Sequence, residues 1–216
     1  MGTIVGRGIT VQYASTLASA INPTAVTKAN PGVATLTSHG LADGAVGFWT
    51  VTAGMVELNN QAAHVMATSS STFTMNGLVT SGYSTYTAGA FTAATAWATI
   101  AEAASYQVGG GAASALDDTR LFHTRTSNIA GLLAPQDLTI DVRNADVQGA
   151  AMAAVEAAAQ TSTALLFRIM QGSKTLRVYY GIPSLPGESV QAGGLATGQF
   201  NVLGDGWCVK PNQSAF

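Results

Sequence analysis

DLTIDVRNADVQGAAMAAVEAAAQ (137–160) runs into TALLFRIMQGSKTLRVYYGI (163–182), and the spacing of the apolar residues changes along it. Leu138, Ile140 and Val142 alternate with Thr139, Asp141 and Arg143, the period of a half-buried strand. From residue 144 the spacing turns helical. Asn144 or Asp146 is placed to cap the start. Val147, Ala151, Ala154, Val155 and Ala158 fall on one side, and Gln148, Met152, Glu156 and Gln160 on the other. TALLFRIM and TLRVYYGI then read as two strands joined at Gln171-Gly172-Ser173-Lys174, a natural hairpin turn. The stretch predicts one helix laid on an antiparallel sheet. It contains no visible chemistry.

Outward from there, the composition narrows the options. The chain has 216 residues, of which 9% are charged and 47% hydrophobic, with a formal net charge of −2. Ordinary soluble domains carry roughly 25% charged residues. Depletion of charge is what the core of a protein–protein interface shows, so copies of this chain are expected to cover one another. The charge argues against a dedicated nucleic-acid binder, which would display a basic patch. A single cysteine, Cys208, leaves no intramolecular disulfide and no cysteine-based metal motif. The opening MGTIVGRGITVQYA is interrupted by Arg7 and is not expected to be a signal peptide, and no apolar run suits membrane insertion.

VGRGITVQYA (5–14) reads as a first strand with Ile9, Val11 and Tyr13 on one face. Residues 24–92 have a different texture, with short β segments between turns: VATLTSH, AVGFWTV, AAHVMATS, STFTMN and YSTYTAGAFT. Their formal charges are Lys28, Asp43 and Glu57. They read as a small β module, with polar, alanine-rich joints near 15–26 and 92–98. WATIAEAASYQV (97–108) reads as one strand, with Tyr106 and Val108 pointing one way. A long connection, 109–135, follows. It concentrates Asp117, Asp118, Arg120, His123 and Arg125 beside Leu121, Phe122, Ile129, Leu132 and Leu133. A connection of this length is usually functional or disordered, and its apolar residues point to packing against a neighbour. ESVQAGGLATGQFNVLGDGWCV supplies two last strands, with Phe200 and Val202 inward, before a loose or docking tail, PNQSAF.

Candidates for chemistry are few. Gly109–Gly111 lacks the Lys-Ser or Lys-Thr of a phosphate loop. Asp117-Asp118 with Arg120 and Arg125 suits ion pairing at an interface better than cation binding. His39, His64 and His123 are too scattered for a metal site, and no serine stands in a nucleophile-elbow context. Cys208 reads as a small core residue. Arg168 and Arg177, on neighbouring strands, would touch phosphate if their face lined a pore. No enzyme activity, cofactor or metal is expected.

From Trp97 onward the chain resembles the major tail tube proteins of tailed bacteriophages. WATIAEAASYQVGGG, NIAGLLAP, DLTIDVRNADVQGAAMAAVEAAAQ, TALLFRIMQGSKTLRVYYGI and ESVQAGGLATGQFNVLG carry the resemblance, in that order. A second likeness covers 24–92. There ANPGVATLTSHGLADGAVGFWTV, GMVELNNQAAHVMATSSSTFTM and TSGYSTYTAGAFT are similar to a small β module of phage structural proteins, itself likened to a half-domain of ubiquitin-activating enzymes. No ubiquitin chemistry is implied.

The resemblance implies a mainly β fold: a tail-tube-type β-sandwich or barrel with one flanking α-helix, plus an inserted small all-β domain. Residues 1–23 and 93–216 would form the tube domain and 24–92 the insert. It implies a subunit of stacked, hexameric rings in the virion tail, assembled in the host cytoplasm and met by tape measure and other tail proteins, with phage DNA passing through. Asp117, Asp118, Arg120, Leu121, Phe122, Arg125, Leu132 and Leu133 are then the candidate inter-subunit contacts, and Arg168 and Arg177 the possible lumen residues. The insert would decorate the exterior of a long, non-contractile tail, and its deletion would leave tubes assembling. The alternative is another virion component, such as a tail terminator, baseplate or decoration protein, whose module binds the host surface.

Overall fold

The computed structural model describes residues 8–66, 68–111, 113–120, 124–126, 128–143, 149–192, 194–204 and 206–212; of Leu132 and Leu133 it describes the backbone alone. Among the described residues the protein is mainly β with one α-helix. The chain opens with β1 (Ile9–Leu17) and enters the insert through β2 (Ala25–Val26), β3 (Gly32–Thr35), β4 (Val46–Ala53), β5 (Ala62–Met66), β6 (Thr72–Asn76) and β7 (Ala88–Thr99). The body continues with β8 (Ala103–Val108), β9 (Ala113–Asp117), β10 (Asn128–Leu133), β11 (Leu138–Arg143) and α1 (Ala150–Gln160). It ends with β12 (Leu165–Gln171), β13 (Lys174–Pro183), β14 (Gly187–Ser189) and β15 (Thr197–Leu203).

The decisive stretch folds as its periods dictate. Leu138, Ile140 and Val142 of β11 are buried, while Asp141 and Arg143 are exposed. Gln171 pairs with Lys174, and Gly172 takes φ +59° in the two-residue turn between β12 and β13. The helix departs from expectation at its start. Asn144, Asp146, Val147 and Gln148 lie outside the described residues. The N-cap is Gly149, whose N–H donates to Glu102 Oε1 at 2.9 Å. Met152, expected on the outer face, is buried with Val155 and Ala158. In a helix this rich in alanine the stripe is ambiguous, and the longest apolar side chain decides which face turns inward.

Among the described residues thirteen strands join in one sheet, in the order β2-β3-β6-β5-β4-β7-β1-β12-β13-β15-β11-β8, with β14 on β15. The stretch 92–98, expected as a joint, is the middle of β7. Residues 88–93 of this strand pair with β4, and residues 94–99 pair with β1. One strand therefore serves both insert and body. Residues 97–108, expected as one strand, are the end of β7, a turn at 100–102, and β8.

Directly opposed residues share a face of a sheet, so the pairing registers assign the faces. One cluster holds Trp49, Phe73, Met75, Phe91 and Tyr86 of the insert, and it extends to Ala14, Leu166, Val178 and Val209 of the body. A second holds Val11, Tyr13, Ile140, Val155, Phe167, Ile169, Phe200 and Val202. The insert closes on the body where Phe48 stacks flat on Tyr180, 4.0 Å between centroids.

Residues 206–212 clasp this seam; of the expected tail, 211–216, the described residues include Pro211 and Asn212. Trp207 N–H donates to Gln61 Oε1 at 3.0 Å and Cys208 N–H to Gln136 Oε1 at 3.0 Å. Asn212 N–H donates to Asn76 Oδ1 at 3.0 Å, and Asn76 Nδ2 donates back to Asn212 O at 3.2 Å. Gly77, at φ +80°, lies so close that a Cβ there would strike the Lys210 carbonyl.

Candidate functional site

The long connection 109–135 is built differently from a loop. β9 and β10 pair antiparallel as a separate two-stranded sheet, joined to no other strand among the described residues. Alanine- and glycine-rich strands such as ASALD and NIAGLL lack the alternation that would reveal them. Leu116 and Ile129 are cross-strand partners, and they are 57% and 54% exposed. An isolated two-stranded ribbon is marginal in water unless something packs on it.

The charged candidates gather at the end of this ribbon. Asp117 Oδ1 accepts the Thr119 N–H at 2.8 Å, and bonds to Thr119 hold its carboxyl below the usual carboxylate range. Arg120 Nε lies 3.7 Å from Asp118 Oδ1, an exposed pair within the chain. Exposed pairs of this kind contribute at most about 1 kcal/mol. Arg125 is exposed, while Leu121, Phe122 and His123 lie outside the described residues, as do the side chains of Leu132 and Leu133.

Arg168 and Arg177 do not share a face. Arg168 stands opposite Val178, whereas Arg177 stands opposite Ile169, the next residue along β12. Arg168 is half-buried. Its guanidinium lies 4.1 Å from the Trp97 ring centroid, and its Nε donates to Gln12 Oε1 at 2.8 Å. Desolvation holds its pKa below the ordinary arginine value. This arginine is spent inside the fold.

Several exposed apolar residues carry no mark of chemistry in the sequence. Ile182 opposes Leu203 across β13 and β15, and both are exposed, as are Leu185, Val190, Leu195 and Trp207. Residues 181–204 hold one formal charge, Glu188. Large apolar residues in connections that bury nothing were the signal available for this surface.

The outer face of β11 and β15 is polar instead. Thr139 Oγ1 donates to Asn201 Oδ1 at 2.8 Å, and Asp141 accepts from the Ser105 hydroxyl. Ser105 and Asp141, with Arg143, Glu188, Thr197 and Gln199, line an open cleft of about 500 Å³. Among the described residues lining it there is no histidine. Among the described residues no group of three or more His, Cys, Asp and Glu is arranged to hold a metal ion. Cys208 is buried, and burial pushes its thiol up to about 11. No protein-family model matches the chain, and no curated protein matches it.

Proposed function

We propose that this chain is a structural, non-enzymatic subunit that assembles with its own copies into stacked rings, the wall of a bacteriophage tail tube. The observation that carries this reading is the β9–β10 ribbon, which pairs with no other strand among the described residues and exposes Leu116 and Ile129 together. A ribbon of this kind gains stability from a neighbouring subunit, and a chain with 9% charged residues offers a chemically matched surface. The apolar surface around Ile182 and Leu203 suits such covering. Residue patterns from Trp97 to Gly204 that resemble tail tube proteins support hexameric rings, tape measure and other tail proteins as partners, and a virion location. The polar face of Thr139, Asp141, Arg143, Gln199 and Asn201, with its two charges offsetting, suits a wall that DNA passes without being gripped.

Sedimentation velocity of the purified full chain tests this reading. Species of many subunits, growing with concentration, are the expected result. A single 21.9 kDa species at every concentration would overturn it.

A further inference from the structure

One ionisable ring sits where the insert closes on the body. His64 of β5 is 1% exposed and stands opposite Val46 of β4 and Asn76 of β6. Two residues before it, Ala62 stands opposite Phe48, so His64 shares the sheet face whose Phe48 stacks on Tyr180. Across the seam, Arg168 of β12 shares its face with Val178 and Gln12. Its guanidinium covers Trp97, and among the described residues no carboxylate lies within ion-pair distance of it.

We propose that His64 makes this seam acid-sensitive: a proton on its ring adds a second positive charge to the seam that half-buried Arg168 faces from the other side, and the insert opens away from β12 and β13. The groups acting on the ring oppose one another. Burial is the larger cause holding it neutral below the ordinary histidine range, and the Arg168 charge adds to it. Asp43, from the turn before β4, pulls the other way, but its Oδ1 already accepts the Thr68 N–H at 2.9 Å. β6 presents the uncharged Asn76. β13 presents Val178 and Tyr180, whose hydroxyl is raised by burial and stays neutral. Lys210 of the clasp is exposed.

The sign follows from linkage. Above about pH 6.5 the ring is neutral whether the seam is open or closed, and it costs nothing. Below that pH the open form takes up a proton that the closed form resists, so closure weakens as pH falls.

Amide hydrogen exchange of the full chain at pH 7.5 and 5.0, corrected for intrinsic rates, reads the opening strand by strand. In the wild type, β5 and β12 should lose protection by about tenfold or more at pH 5.0, while β11 and β15 keep theirs. His64→Gln should flatten this response, Arg168→Gln should reduce it, and His39→Gln should leave it intact. An undiminished response in His64→Gln, or equal loss in β11 and β15, would overturn the proposal. If His64→Gln does not fold, the ring's titration by NMR in the wild type decides instead. Protonation at or above about pH 6.5 without loss of protection in β5 would be equally fatal.

Discussion

Val155 and Cys208 make the residue scale measurable. Val155 is fully buried against the second cluster, between Met152 and Ala158 on the same helix face. Val155→Asp places an uncompensated carboxylate there, at about 3–5 kcal/mol. That is a large part of a domain's net stability of about 5–15 kcal/mol. Denaturant titration should show the Val155→Asp midpoint lowered steeply, whereas Glu156→Lys, on the half-buried side, should unfold near the wild-type midpoint. Cys208 is protonated at neutral pH because its buried thiol is raised to about 11. A thiol reagent at pH 8 should therefore react slowly with the native chain and quickly in denaturant. The linkage has a definite sign. The unfolded chain loses this proton first, so the thiol's contribution to stability falls away as pH climbs from about 9 towards 11. Residues of this kind were legible: Val155 from helical spacing, Cys208 from its strand-end position beside Trp207. Met152 was not, because a stripe defined mainly by alanine does not say which edge of the helix is covered.

At the scale of elements, the strands that alternate large apolar and polar residues could be read directly, as in β11 and in the β12–β13 hairpin. Those built from alanine, glycine and serine could not. β9 and β10 hid in a stretch that reads as loop because all of β9 and Asn128, Ile129 and Ala130 of β10 are exposed, and burial is what writes a period into a sequence. β7 hid for another reason. Its two halves serve different partners, so its change of texture at 92–98 resembled a joint. The ribbon also supplies the sharpest test of how copies meet. Leu116→Asp with Ile129→Asp alters two exposed positions, so the variant should keep the wild-type melting temperature to within a few degrees. It should also sediment as a monomer. A double variant that assembles like the wild type would move the contact away from the ribbon.

At the scale of the whole molecule, the insert is not an ornament. It shares β7, stacks Phe48 on Tyr180 and is clasped by residues 206–212. Deleting 24–92 would uncover Leu166, Val178 and Val209, all buried. At about 1.5–3 kcal/mol for each large apolar side chain, three such exposures approach the whole net stability. The sequence suggested that this deletion would leave assembly intact. The buried contacts predict the opposite outcome: the deleted chain should be insoluble or unfolded by circular dichroism. Those long-range contacts, between residues 61 and 207 or 76 and 212, leave no local pattern in the sequence.

Self-assembly through the ribbon would be visible by electron cryo-microscopy of the purified full chain. The prediction is closed rings or tubes in which β9 and β10 of each subunit lie against a neighbouring copy. Dispersed single subunits, or rings in which the ribbon touches no neighbour, would contradict it.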